Sequence, residues 1–148
     1  MVEDRLTDGV RIGQLLASEI SGNEGRLRDL ALADADPDAE PTLDGALAYR
    51  IVRGGEGTDA GVDAPDAPLV AEVYVQPDRA RIEFVGDDGG DTEADLPKAA
   101  ADAADEAGLR VRPKAVRPPR TLVFVEDGAE VKRALPAFEA VVDAVRKG

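Results

Sequence analysis

The sequence predicts an α+β fold: a single, mainly antiparallel twisted sheet with helices on one face, in the order α-ββββ-α-ββ-α. Three observations carry that prediction. Residues 69–76 and 80–85 alternate apolar and polar side chains and meet at a Pro-Asp turn, as the two arms of a hairpin do. Three other stretches repeat apolar residues at three- and four-residue steps, the period of a helix face. At 148 residues the chain has the size of one domain, long enough to bury a core and too short for two, so 1–148 reads as one unit.

The first helix is expected over Thr7–Ser21, with Thr7 as N-cap, Asp8 in the first turn and Gly22 ending it. Ile12, Leu15, Leu16 and Ile20 form its apolar face, with Arg11 and Glu19 on the other side. Strands follow over 26–33 and 46–53, the latter with Leu47, Tyr49 and Ile51 on one face and Arg50 on the other. In 69–76, Leu69, Ala71, Val73 and Val75 oppose Glu72 and Tyr74; in 80–85, Ile82 and Phe84 oppose Arg81 and Glu83. Such alternation implies that one sheet face is wet. A second helix over Leu96–Ala107 is opened by Asp95 and Pro97, closed by Gly108, and apolar only through Ala100, Ala103, Ala104 and Ala107. Strands near 109–112 and 121–125 precede a last helix. Its capping box is Asp127 and Glu130, its stripe is Val131, Leu135, Phe138, Val142 and Val145, and Pro136 predicts a kink or a frayed first turn. The Asp/Gly/Pro-rich connectors 34–45, 54–67 and 86–94 read as mobile.

Charge is the loudest feature of the composition. There are 31 acidic residues against 18 basic ones, a net charge of −13; 19 of the acids are Asp and only 4 of the bases are Lys. Such an excess repels itself in ordinary buffer, whereas at molar salt the Debye length falls to about 3 Å and the repulsion fades. This composition resembles that of proteins from extremely halophilic archaea, and it predicts a soluble protein of a salt-rich cytoplasm. The start, Met1-Val2-Glu3-Asp4-Arg5, is charged and shows no secretory signal, and no stretch approaches the roughly 18 apolar residues of a spanning helix.

Chemistry-bearing residues are scarce. Without Cys or His, disulfides, thiolate sites and the commonest general base are excluded. Asp34, Asp36, Asp38 and Glu40 alternate like a calcium loop, but an EF-hand begun at Asp34 needs Gly at 39 and Glu at 45, where this chain has Ala39 and Gly45. Asp87, Asp88, Asp91, Glu93 and Asp95 read the same way, so no metal site is assigned, and no cofactor. Gly55, Gly57 and Gly61 lack the spacing of a dinucleotide fingerprint, and Glu56, Asp59 and Asp63 would repel a phosphate. Ser18 and Ser21 have no nonacidic base but four Lys to activate them. A carboxylate pair remains conceivable chemistry, but an enzyme is the lesser reading.

One segment runs against the acidic background. Arg110, Arg112, Lys114, Arg117 and Arg120 fall together with no acid between Ala107 and Val125; residues 1–106 carry −17 and 107–148 carry +4. Three readings compete. The charge term argues against nucleic acid: five phosphate contacts give a log-log slope of about −4.5, so a twentyfold rise in salt costs on the order of 10⁶ in affinity. Interleaved aromatics for stacking are also missing from the segment. Outward-pointing strand arginines beside a hairpin loop stiffened by Pro113, Pro118 and Pro119 are the plain reading. A docking surface for an acidic partner, including a second copy of the chain, lies between. The function expected is therefore a non-catalytic protein-binding or chaperone-like module, with nucleic-acid or anion binding and a carboxylate-based enzyme as alternatives.

Asp4-Arg5-Leu6-Thr7-Asp8-Gly9, Arg11-Ile12, Gln14-Leu15-Leu16-Ala17-Ser18-Glu19 and the run Asp34-Ala35-Asp36-Pro37-Asp38-Ala39-Glu40-Pro41 look like a family of small haloarchaeal proteins of unknown function. That resemblance brings no activity with it. The element order is also similar to the small chaperones of type III secretion and related sheet-plus-helix proteins. This second likeness implies a dimer that binds other polypeptides, by analogy of fold alone.

Overall fold

The computed structural model describes residues 8–22, 30–33, 35–36, 39–53, 69–85, 96–114 and 120–147. Three helices and six strands follow in the expected order: α1 (Gly9–Ser21), β1 (Leu30–Ala33), β2 (Ala46–Arg53), β3 (Leu69–Gln76), β4 (Arg79–Val85), α2 (Leu96–Glu106), β5 (Arg110–Lys114), β6 (Arg120–Val125) and α3 (Gly128–Lys147). The strands form one sheet in the order β1-β2-β3-β4-β6-β5, every neighbouring pair antiparallel. β5 is delivered to the far edge by α2, and β6 turns back to fill the place between β4 and β5.

The core lies between the helices and one sheet face. Ile12, Leu16 and Ile20 of α1 are buried, as are Ala100 and Ala104 of α2 and Val131, Ala134, Ala137, Phe138, Val141 and Val142 of α3. They meet Tyr49, Ile51, Val73, Ile82, Phe84 and Val123 from the sheet. Phe84 and Phe138 touch at a ring-centroid distance of 4.8 Å, tilted by 53°. Leu15, expected on the α1 core face, is 42% exposed instead, because the helix turns its 12-16-20 line to the sheet.

Helix ends differ from expectation in detail. The α1 cap is Asp8 rather than Thr7: its Oδ1 accepts from the Val10 and Arg11 N–H groups at 3.0 and 3.3 Å. Thr7 lies outside the described residues. Gly9 opens the helix against the β3–β4 turn, where an added Cβ would stand 1.8 Å from the Gln76 carbonyl oxygen, so only glycine lets the helix approach. Gly108 closes α2 at φ 87°, the left-handed region that favours glycine. At α3, Asp127 Oδ1 accepts from the Glu130 N–H at 3.0 Å, but the Glu130 carboxylate reaches past the cap to the Glu126 N–H at 2.7 Å. Pro136 sits exposed within α3, and the helix continues unbroken through it.

Two β-bulges alter the facing of β2. Leu47 pairs with Tyr74 and Tyr49 with Val73, which leaves Ala48 as an extra residue; Val70 is the corresponding extra residue of β3. Leu47 therefore does not share a face with Tyr49 and Ile51, contrary to strict alternation. The bulge turns Tyr49 towards α1, where its hydroxyl donates to the Gly13 carbonyl oxygen at 2.7 Å.

Candidate functional site: the open face of the sheet

The register gathers charges that are far apart in sequence onto the sheet face away from the helices. One row across it reads Leu47, Tyr74, Arg81, Phe124, Arg110, each opposite the next. The adjacent row reads Arg50, Glu72, Glu83, Leu122, Arg112. Arg120 precedes Leu122 by two residues along β6, on the same face.

At the centre of this face Glu72 and Glu83 stand directly opposite each other, 6% and 2% exposed. Two facing carboxylates repel. Arg120 resolves the conflict by bridging them, Nη1 donating to Glu72 Oε1 at 2.8 Å and to Glu83 Oε1 at 2.9 Å. Arg50 Nε donates to Glu72 Oε2 at 2.9 Å, and the Tyr74 hydroxyl donates to Glu72 Oε1 at 2.8 Å. Arg81 Nε lies 2.9 Å from Glu83 Oε2 but does not aim its N–H at it, so that contact is ionic. The Arg81 guanidinium also stacks 4.7 Å above the Tyr74 ring and donates to the Asp44 carbonyl oxygen at 3.0 Å. The face expected to be wet is dry at its middle because long guanidinium side chains lie over it.

Burial pushes the Glu72 carboxyl up, but the hydrogen bonds from Arg50, Tyr74 and Arg120, with the Arg120 charge, outweigh it and hold it below the ordinary range. Burial raises the Tyr74 hydroxyl, as does the carboxylate it donates to. A carboxylate held ionised in this way is a poor proton donor, which argues against acid catalysis here. Among the described residues there is no group of three or more metal-ligating side chains. Asp34, Asp38, Asp87, Asp88, Asp91, Glu93, Asp95 and the glycine-rich loop 55–61 lie outside the described residues.

Of the five basic residues singled out from the sequence, the structure describes the side chains of three, Arg110, Arg112 and Arg120. Arg110 is 59% exposed, with a 3.7 Å contact to Glu126, and Arg112 is exposed on the same face. Lys114 continues strand β5 opposite Arg120, and Arg117 lies outside the described residues. Arg120 is mostly withdrawn into the ionic centre. Arg50, Arg79 and Arg81 join them on this face from other strands, which the local sequence does not show. Arg79 sits at the end of this face, bonded to Asp78 and Glu126 at 3.2 and 3.0 Å. Among the described residues, six guanidinium groups and four carboxylates thus share this face, an excess of positive charge in a chain of charge −13. Leu122 and Phe124 stand partly exposed among them.

No helix among the described residues is long and apolar enough to cross a membrane. Neither a curated protein nor a solved structure matches the chain. A family model does match, over residues 1–148, and the chain therefore belongs to the family of unknown function DUF7993.

Proposed function

We propose that the protein is a non-catalytic binding module whose open sheet face docks an acidic protein partner in a salt-rich cytoplasm. The observation behind this reading is the co-location of exposed Arg110 and Arg112 with Leu122 and Phe124 on a net-positive face of an acidic chain. Apolar contact area keeps its value in molar salt, where charge alone is screened, and the arginines select the sign of the partner. A homodimer is the less favoured occupant of this face: both copies would bring the same excess of positive charge to the contact. The chaperone-like version of the reading, in which the partner is a client polypeptide, makes the same demand on the face.

A second reading, single-stranded nucleic acid, has one specific observation in its favour. Phe124 stands between Arg81 and Arg110 across three strands, so an aromatic does lie among the guanidinium groups although none lies in the 110–120 segment. Base stacking between cations uses that arrangement.

The test is capture in about 2 M KCl, in the regime where the Debye length is a few ångströms, with the chain and its Arg110→Glu/Arg112→Glu variant as baits and light scattering on each. A protein retained by the first and lost by the second supports docking at this face. Retention that survives nuclease but not the charge reversal assigns it to protein; retention abolished by nuclease supports the second reading. Equal capture by both baits, or a dimer that the variant breaks, overturns the proposal.

A further inference from the structure

On the helix side of the sheet, α1, β1 and β2 do not close on one another. Between them is a cavity of about 400 Å³, within the roughly 300–1,000 Å³ of small-molecule sites. Val10, Gly13 and Ala17 of α1, Leu32 of β1, and Ala48 and Tyr49 of β2 line it. Its origin is local. Gly13 and Ala17 lie one turn apart on α1 and project almost nothing, and the bulge at Ala48 brings two successive β2 residues to the same wall. A Cβ on Gly13 would stand 3.1 Å from Val75 Cγ1, so the valine would have to give by a few tenths of an ångström. The phenol at the cavity wall is already spent: Tyr49 donates to the Gly13 carbonyl oxygen, and burial raises its pKa so that it stays neutral. Among the described lining residues, exposed Gln14 and Asp36 supply the side-chain amide and the charge.

We propose that this cavity binds a compact hydrophobic molecule, about the size of two fused rings, that carries no negative charge. The cavity opens to solvent, and an apolar guest seated in it takes its apolar walls out of water and gains dispersion contacts with them. An anionic guest is disfavoured by the Asp36 carboxylate and by the field of a chain of charge −13. The site lies on the opposite side of the sheet from Arg110 and Arg112, so it stands or falls separately from the docking face.

Two dyes sharing a naphthalene body provide the test: uncharged N-phenyl-1-naphthylamine and anionic 8-anilinonaphthalene-1-sulfonate, titrated by fluorescence into the full chain. The uncharged dye is expected to saturate at one per chain and to bind about tenfold more tightly than the sulfonate at low salt. The gap should narrow in molar salt and on Asp36→Asn. Ala17→Phe should weaken the uncharged dye by about tenfold or more, while Arg110→Glu/Arg112→Glu leaves it unchanged. Should Ala17→Phe fail to fold, alanine-methyl NMR of the unmodified chain decides: Ala17 and Ala48 shift with dye while Ala100 and Ala104 stay. Absence of saturation, an undiminished Ala17→Phe, or shifts at Ala100 and Ala104 instead overturns the site. Equal binding of the sulfonate at low salt overturns the assigned ligand class.

Discussion

Arg120→Met removes one guanidinium and keeps the side-chain volume, leaving Glu72 and Glu83 face to face at 6% and 2% exposure. Removing one partner of a fully buried ion pair costs about 3–5 kcal/mol. Arg120 is 26% exposed, and Arg50, Arg81 and Tyr74 remain around the two carboxylates, so about 2–3 kcal/mol is the appropriate expectation. The pH dependence has a definite sign. The folded state lowers the Glu72 pKa, so Glu72 contributes stability that is present above its unfolded value, about 4.3, and is lost as pH falls through the folded value. The variant forfeits much of that contribution. The stability gap between wild type and Arg120→Met should be widest near neutral pH and close progressively below about pH 4–5. Adding Glu83→Gln to Arg120→Met should recover part of the loss by removing the facing charge. Urea unfolding followed by circular dichroism at fixed salt, from neutral pH down to the lowest pH at which the fold persists, measures all of this. A variant as stable as wild type at neutral pH, or a gap that grows on acidification, refutes the account of the ionic centre.

Three further substitutions check other joints. Gly9→Ala forces a methyl against the Gln76 carbonyl and should cost about 1–3 kcal/mol by overpacking in urea unfolding; a neutral or stabilising result would mean that α1 is not seated on the β3–β4 turn. Tyr49→Phe removes the hydrogen bond to Gly13 and should cost about 0.5–1.5 kcal/mol, read as a lower midpoint with unchanged slope. Arg110→Glu/Arg112→Glu should change stability by no more than about 0.5 kcal/mol per site, because both side chains are exposed; a larger loss would make them structural rather than available for docking.

The element order was legible because the signals that carry it are local: alternation at 69–76 and 80–85, the small-residue face of α2, the glycine after it, and the acid that caps α3. Errors arose where a local rule met a tertiary contact. Leu47 was expected beside Tyr49 because nothing in 46–53 marks a bulge at Ala48; the bulge appears only in pairing with β3. Leu15 fits the apolar period of α1 as well as Leu16 does, and only the seating of the helix on the sheet decides which is covered. The candidate face was half legible. Arg110 and Arg112 stand out as a basic run, and Pro113 beside them suits a protected edge strand. The partners of Arg120 lie 48 and 37 residues away, so no spacing could reveal that it belongs to an ionic centre. Burial of Glu72 and Glu83 was hidden for a related reason, since alternation marks which way a residue points and not what lies over it.

Docking through the open face is tested most directly by photocrosslinking. A benzophenone amino acid is placed at Leu122, on that face, and separately at Arg133, exposed on α3, and each variant is irradiated in the cells that produce it. The expected result is one discrete protein adduct from position 122, absent from position 133 and lost when Arg110→Glu/Arg112→Glu is added. No adduct at 122, the same adduct from both positions, or an adduct sensitive to nuclease rather than protease would contradict it.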